Sequence, residues 1–455
     1  MPELSKNEAW EHIEELVARQ DSRALAGYLD TLSPSDLARA VSRMSDEHRS
    51  AMLTLLDPED AADLIEELHE AQGADLIEDL PVEQAAAIMD EMDSDIRADV
   101  LNELDRSDLE AILLEMTPEE AKDARALLVY PPDTAGGLMI TEYLAYSDKL
   151  RIHDVLNDLR ENAETYSDYG VQYVYVVSDK GMLVGVVRLR DLVLSPGSTP
   201  LSKIEIPNPI SVSVDATLPE LEQVFDRHAF FGVPVVDNFG KLVGVVERAD
   251  VEEAHGEVAE KTFLRFGGIV GGDELRNMPL RSRTIRRLAF LTPNIFLNMI
   301  AASVISIYEG TLTRVIALAV FLPIISDMSG CTGSQAVAVS IRELSLGLIK
   351  PRDLVRVWWK EVQVGVVNGI TLGIMVGIVA YLWKGELYLA LVVSGALSIN
   401  TLIAASMGGI IPLVLKALKL DPALAAAPIL TTITDMCGFF LSLSLAAIAL
   451  EAGKL

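Results

Sequence analysis

The sequence predicts a multidomain protein: an all-α superhelical N-terminal domain, an α/β domain of two related units, a connecting helix and an all-α domain of five transmembrane helices. Three observations predict this order, namely a twelve-residue apolar repeat, a strand–turn–strand pattern that occurs twice, and five long apolar segments. We expect the domains to cover residues 1–130, 131–251, 252–280 and 281–455.

The composition indicates a soluble part joined to a membrane part, because a mean hydropathy of +0.30 coexists with 23% charged residues. Residues 1–130 hold 34 of the 67 acidic residues. Such a surface repels nucleic acid, so we expect no nucleic-acid partner, and it attracts cations, although a solvated acidic face is the simpler interpretation. The two cysteines, Cys331 and Cys437, lie in apolar segments, so we expect neither disulfides nor a thiolate metal site.

In the N-terminal part, apolar residues recur every twelve positions from Leu32 to Leu128. Many of these units open with a helix-starting pair such as Asp57-Pro58. Each unit therefore predicts one short helix and a turn. Because no single unit can bury its apolar stripe, the helices should stack into a right-angled or superhelical array with the acids outside.

Residues 177–187 and 236–246 each read as a strand, a glycine-containing turn and a second strand, 59 positions apart. Each pattern then enters a helix, at Asp191 and at Asp250. This arrangement resembles a tandem pair of CBS modules over residues 132–251.

CBS pairs often hold an adenosine nucleotide, so the resemblance implies ATP as a candidate ligand. Asp191 then stands where such modules place an acid against ribose hydroxyls, and Tyr173 and Arg190 can meet base and phosphate. For Asp191 and Asp250 the simpler interpretation is a helix N-cap.

Five apolar segments follow, each long enough to cross a bilayer. They cover residues 288–308, 315–341, 362–383, 387–415 and 422–450. In the fourth, Gly408-Gly409 and Pro412 predict a kink.

Positive charge near the spans predicts the orientation. The basic residues before the first span are Arg276, Arg281, Arg283, Arg286 and Arg287. They place the N-terminal part in the cytoplasm, and five spans leave the C-terminus outside. We therefore expect a multi-pass protein of the plasma (inner) membrane, in contact with lipid.

Two spans carry a central carboxylate, Asp327 in the second and Asp435 in the fifth. A charge at the bilayer centre costs about 2.5–3.5 kcal/mol on insertion scales, so it indicates a partner, a water-filled path or a cation. The polar run 431–434 beside Asp435 supports a cavity. This pattern predicts transport.

With Asp421-Pro422-Ala423-Leu424 opening the fifth span, the whole chain resembles the MgtE family of magnesium channels. The resemblance implies a homodimer with an ion path formed by the second and fifth spans. It implies that Asp435 recognises the ion, that Asp421 lies near the cytoplasmic mouth, and that the connecting helix plugs the pore when Mg²⁺ binds the soluble part.

The resemblance also suggests acidic ligands for this regulatory Mg²⁺. We expect them among Glu91, Asp95, Asp215, Asp226, Glu247, Asp250, Glu253 and Glu257. Oxygen ligands suit Mg²⁺, and the spans contain no histidine, so zinc and copper are disfavoured. Mn²⁺ and Co²⁺ remain alternatives.

The second span departs from the family motif. Pro323, Gly330, Gly333 and Gln335 match it, whereas Ser329 replaces a glycine, Cys331 replaces an asparagine and Asp327 is an additional acid. Asp327 is either a hydrogen-bonded group inside the bundle or a second pore carboxylate beside Asp435, which would give four carboxylates per dimer.

A membrane-anchored cation or nucleotide sensor without transport is the alternative from another class, although an anchor gains nothing from a buried charge. The sequence has no glycine-rich phosphate loop, metalloprotease helix or nucleophile–base pair, so we expect no enzymatic activity.

Overall fold

The computed structural model describes the chain with a few short gaps. The described residues are 9–163, 165–166, 169–170, 172–272, 274, 278 and 280–454. The chain divides into two compact units, Met1–Gly256 and Glu257–Leu455.

Ten short helices open the first unit. They are α1 (Ala9–Arg19), α2 (Ser22–Leu29), α3 (Pro34–Val41), α4 (Asp46–Leu55), α5 (Pro58–Glu66), α6 (Glu70–Glu78), α7 (Val82–Glu91), α8 (Ser94–Glu103), α9 (Arg106–Glu115) and α10 (Pro118–Leu127). From α3 to α10 the helices begin at twelve-residue intervals, which confirms the predicted unit of one helix and one turn. Most of the apolar residues that mark the period, such as Leu56 and Met92, are buried at or just after a helix C-terminus.

Helices in this array pack against the second helix along the chain: α5 on α7, α6 on α8, α7 on α9 and α8 on α10. The apolar pairs that the repeat places inside, such as Ile88 and Met89, are buried. Two rows of alternate helices therefore share one core, which is the superhelical form of the predicted stack.

One fully buried position in the repeat is charged. Arg97 of α8 is 1% exposed, and its guanidinium donates to the carbonyl oxygens of Met89 and Met92 at 3.4 Å each. It also pairs with Glu120 at 2.6 Å and with Asp123 at 3.3 Å, both in α10. Arg97 therefore ties α8 to α10 and to the end of α7.

Two small sheets form the α/β domain. Its elements are β1 (Ala145–Ser147), α11 (Ile152–Glu161), β2 (Tyr173–Val177), β3 (Leu183–Arg188), α12 (Leu189–Leu194), β4 (Ile206–Pro207), β5 (Val212–Ser213), α13 (Leu218–Arg227), β6 (Gly232–Val236) and β7 (Leu242–Glu247). The sheet orders are β1-β2-β3-β4 and β5-β6-β7. The antiparallel pairs β2–β3 and β6–β7 are the two predicted hairpins. Their turns contain Gly181 and Gly240 at φ of 76° and 80°, a conformation that glycine adopts without strain.

The helix that follows β7 is α14 (Arg248–Phe266). It runs without a break through residue 252, the expected start of the connecting segment, so that segment continues the last helix of the α/β domain. Arg276, a member of the predicted basic stretch, lies outside the described residues.

Among the described residues, the second unit contains five helices long and apolar enough to cross a membrane. These candidate spans are Leu280–Ile307, Ile316–Ser345, Pro351–Lys384, Leu387–Ala417 and Pro422–Glu451. The helices are α15 (Leu280–Ile307), the short α16 (Glu309–Arg314), α17 (Leu322–Ser345), α18 (Leu354–Lys384), α19 (Leu387–Ala417) and α20 (Pro422–Glu451). All five predicted spans are present in order. The second opens with a 3₁₀ turn over Ile316–Val320, and α17 then begins with Pro323 in its first turn, where a missing N–H costs no helical hydrogen bond.

Gly408 and Gly409, which predict a kink, lie at two helix contacts. A Cβ atom on Gly408 would lie 2.3 Å from the carbonyl oxygen of Gly333 in α17, and one on Gly409 would lie 2.6 Å from Cγ of Glu361 in α18. Helix α19 runs unbroken from Leu387 to Ala417, with Pro412 inside it. The glycines thus allow close packing, and α19 contacts α17, α18 and α20 as the central helix of the bundle.

Candidate functional site

The carboxylate of Asp435 lies near the middle of α20 and is half-buried. Its Oδ1 accepts a hydrogen bond from the hydroxyl of Ser326 in α17. A hydroxyl is neutral, so Ser326 orients the carboxylate without cancelling its charge. The Asp435 carboxylate is therefore suited to act as an oxygen ligand for a cation.

A buried amide contacts the backbone beside this carboxylate. Asn400 of α19 is fully buried, and its Nδ2 donates a 3.0 Å hydrogen bond to the carbonyl oxygen of Thr434. Gly438, one turn further along α20, makes room for it, since a Cβ there would lie 2.7 Å from Nδ2. Sequence reasoning missed Ser326 and Asn400, and the signal that both offered was a polar residue inside an apolar span.

Asp327, Cys331 and Gln335 recur at four-residue intervals in α17, and all three are exposed in the single chain. Residues at this spacing share one face of a helix. Charged and polar groups are costly against lipid, so this face fits a water-filled path or a second protein chain. Asp327 is exposed in the single chain, and the contact with Asp435 comes from its neighbour Ser326.

Asp421 caps α20, since its Oδ1 accepts a hydrogen bond from the Ala423 amide at 2.8 Å. Its Oδ2 lies 3.4 Å from Nη1 of Arg265, a residue in the last turn of α14. Asp421 thus has a structural role at the helix start and an ion-pair partner, and both are compatible with a position at the mouth of an ion path.

In the first unit, three of the predicted regulatory ligands, Asp95, Glu247 and Asp250, lie close together. Burial and the charge of Glu247 raise the pKa of Asp250 to about 6. Burial and then the charge of Asp250 raise the pKa of Asp95 well above its ordinary range. Asp250 also fits the simpler structural interpretation, because its Oδ2 accepts a 3.2 Å hydrogen bond from the Glu247 amide at the start of α14.

Two further acids, which sequence reasoning missed, belong to the same region. Burial raises the pKa of Glu66 to about 7, and its Oε1 accepts a 2.7 Å hydrogen bond from the Asp93 amide. Burial and the charge of Asp93 raise the pKa of Glu247. We call Glu66, Asp93, Asp95, Glu247 and Asp250 the acidic cluster. Like charges at close range repel one another, and a divalent cation bound among them would relieve this repulsion, although as placed these carboxylates do not form a three-ligand metal site.

The other predicted ligands do not all converge. Those exposed to solvent are Glu91, Asp215, Asp226 and Glu253. Asp215 precedes α13 and Asp226 lies in its last turn, so roughly 12 Å of helix separates them. Glu257 pairs with Lys261 at 3.1 Å. Within the described ranges, no group of three or more His, Cys, Asp or Glu residues could hold a metal ion.

A cleft of about 970 Å³ opens beside the two hairpins of the α/β domain. Tyr173 and Arg190 line it, together with Arg188 and Phe230. Asp191 lies next to the cleft, with Oδ1 3.5 Å from Nε of Arg190. The cleft therefore offers aromatic rings and guanidinium groups, which suit a base and a phosphate.

Models of known families match all three parts of the chain. Residues 32–133 match the model of the MgtE intracellular N domain, and residues 136–196 and 201–256 match that of the CBS domain. Residues 322–445 match the MgtE model, described as a divalent cation transporter. The magnesium transporter MgtE of Thermus thermophilus is 33% identical over 450 residues, 97% of this chain and 98% of that protein.

The chain belongs to the MgtE family of magnesium transporters. The MgtE magnesium transporter of Bacillus subtilis is 30% identical over 424 residues, which cover 93% of each chain. A crystal structure of the soluble part of a magnesium transporter aligns with a TM-score of 0.51 and 26% identity, over 56% of this chain and 100% of that one. The predicted MgtE membership and fold class are confirmed, and the chain is a multi-pass membrane protein.

Proposed function

We propose that this MgtE protein is a dimeric Mg²⁺ channel whose ion path is lined by α17 and α20. The observation that carries the proposal is the position of Asp435, a half-buried carboxylate in mid-span whose hydrogen bond comes from the neutral hydroxyl of Ser326. An ion that keeps most of its water needs few direct protein ligands, so one carboxylate from each subunit suits hydrated Mg²⁺.

The polar face of α17 supports a dimer. Asp327, Cys331 and Gln335 are exposed in the single chain, whereas most of the exposed residues in the middle of α18, such as Val367 and Ile374, are apolar and suit lipid. Two copies related by a twofold axis bring their α17 faces together around a shared path. We further propose that the N-terminal part is cytoplasmic and that the C-terminus lies outside.

We also propose that Mg²⁺ regulates the channel through the acidic cluster. At neutral pH, repulsion among these carboxylates opposes the compact arrangement, and a bound cation stabilises it. Asp250 belongs both to the cluster and to the first turn of α14, whose residues continue into the second unit. This helix offers a continuous element through which cation binding can bias the pore.

Flux measurement tests the proposal. Purified full-length protein in liposomes should carry Mg²⁺, and Asp435→Ala should abolish this flux while the dimer still assembles. Glu451→Gln, at the exposed C-terminal end of the same helix, is the matched control and should leave flux unchanged. A sensor without transport gives no flux in any variant. Normal flux through Asp435→Ala would refute the pore site, and competition by Mn²⁺ or Co²⁺ measures selectivity.

The cleft favours a second proposal, that the α/β domain binds ATP. Tyr173 and Arg190 line it, and Asp191 adjoins it. Calorimetry on the full-length protein should detect ATP binding that Tyr173→Ala and Arg190→Ala weaken. Arg151→Ala, an exposed residue that does not line the cleft, serves as the control. Unchanged affinity in both cleft variants would rule out this site.

A further inference from the structure

Helix α20 contacts two neighbouring helices within one turn of Asp435. On one side, Ser326 of α17 donates to the Asp435 carboxylate. On the other, Asn400 of α19 donates to the carbonyl oxygen of Thr434, the residue immediately before Asp435. The first contact holds the Asp435 side chain, and the second holds the backbone at Thr434.

The Asn400 contact is costly to maintain. The side chain is fully buried, its Oδ1 has no hydrogen-bond partner among the residues that the structure describes, and a buried unpaired amide oxygen is unfavourable. The Thr434 carbonyl already has a regular helical partner in the Gly438 amide, so α20 does not need Asn400 to form. Gly438 is the position where a side chain would collide with Nδ2, at 2.7 Å. Stability alone does not account for a buried amide at this place.

We propose that Asn400 is a positioning residue: its hydrogen bond to Thr434 sets the rotation of α20 about its axis, so that Asp435 meets Ser326 and faces the ion path. One residue of an α-helix corresponds to about 100° of rotation, so even a small fraction of that angle displaces the carboxylate. The inference rests on the proposed function, since it takes Asp435 as the ion-recognising group. It adds a residue of the fourth span to a site otherwise built from the second and fifth.

Asn400→Leu is the informative variant, because leucine has a similar volume and removes the unpaired oxygen. If Asn400 has only a structural role, Asn400→Leu should change the thermal midpoint and leave the apparent KM for Mg²⁺ unchanged. A positioning role predicts that the KM rises by roughly tenfold even where the midpoint is unchanged or higher, and that the ratio of Mg²⁺ to Mn²⁺ transport shifts. Both quantities are measured on full-length protein, the KM by flux into liposomes.

Thr401→Val is the matched control. Thr401 is the next residue of α19 and is also fully buried, but its hydroxyl lies 3.5 Å from that of Ser329 in α17. Valine has almost the same shape, so this variant removes a buried polar contact that does not touch α20. We expect its KM to remain that of the wild type.

A double variant distinguishes the steric effect of a side chain at position 438 from the effect of losing the Asn400 hydrogen bond. Gly438→Ala alone should lower the thermal midpoint and raise the KM, because its methyl group displaces the Asn400 amide. Adding Asn400→Ala frees that space, so the double variant should regain the thermal midpoint but keep the raised KM. Recovery of both quantities would show that only packing matters and would overturn the positioning role.

An unchanged KM and selectivity in Asn400→Leu would also overturn the inference. If Asp435→Ala abolishes flux in the same experiment, the proposed pore stands and only the role of Asn400 fails. If Asp435→Ala transports normally, the pore site itself is wrong. The two failures are therefore distinguishable.

Discussion

Carboxylates occupy two different environments in this protein. In the first unit, the acidic cluster places several carboxyl groups near one another, and burial together with neighbouring charge raises the pKa of Asp95, Glu247 and Asp250. In the second unit, Asp435 lies in an apolar span with the hydroxyl of Ser326 as a hydrogen-bond partner. The properties of the acidic cluster therefore depend on repulsion among several carboxylates. Those of Asp435 depend on the orientation of one carboxylate by a neutral hydroxyl donor.

The largest expected effect is the loss of Mg²⁺ flux when the charge of Asp435 is removed. Asp435→Asn keeps the shape of the side chain but removes the charge, so we expect Mg²⁺ flux to fall by roughly tenfold or more. Glu110→Gln, an exposed acid of α9, should leave flux unchanged. Equal effects of the two variants in liposome assays would show that the charge of Asp435 has no specific role in the ion path.

Arg97 shows what charge pairing does inside the repeat. Arg97→Ala leaves Glu120 and Asp123 without their buried partner and opens a cavity, so we expect a loss of about 3–5 kcal/mol in the free energy of unfolding. Arg106→Ala, at the exposed start of α9, should change it by less than about 0.5 kcal/mol. Denaturant unfolding of the two variants provides the measurement. An unchanged free energy of unfolding in Arg97→Ala would contradict the role of Arg97 in holding α8 to α10.

The raised pKa values of Glu66 and Asp250, about 7 and about 6, make stability depend on pH. The folded protein keeps protons that the unfolded chain releases, so the free energy of unfolding should fall as pH rises from about 4 to about 7. Thermal midpoints in EDTA should show this fall, and millimolar Mg²⁺ should reduce it by replacing the protons. Glu66→Gln should flatten the slope, whereas the exposed Glu110→Gln should not. If Mg²⁺ does not change the slope of the thermal midpoint against pH, cation binding at the acidic cluster is contradicted.

The smallest expected effect concerns Asp327. If it lines the path with Asp435, Asp327→Gly should keep the fold, weaken block by divalent ions and change the ratio of Mg²⁺ to Mn²⁺ transport by about two- to threefold. Glu386→Gln, an exposed acid just before α19, is the control. A changed thermal midpoint with an unaltered Mn²⁺ competition curve would place Asp327 outside the path.

Local patterns accounted for most of the architecture. The twelve-residue period gave the starts of α3 to α10, and the two strand–turn–strand segments became β2–β3 and β6–β7. Asp435 stood out because one charge in an apolar span is costly wherever the helix packs. The packing role of Gly408 and Gly409 marks the limit of local pattern, because these glycines allow close approach only where neighbouring helices are present; the kink stays a prediction.

The sequence by itself determined the elements of this protein and its family, because hydrophobic period, helix starts and span length are properties of short segments. Only the tertiary structure decided which groups meet. Ser326 reaches Asp435 across 109 residues, Asn400 reaches Thr434 across 34, and Arg97 reaches Asp123 across 26. Each contact depends on how packed helices are rotated about their axes, and many side chains distributed over several helices set that rotation together.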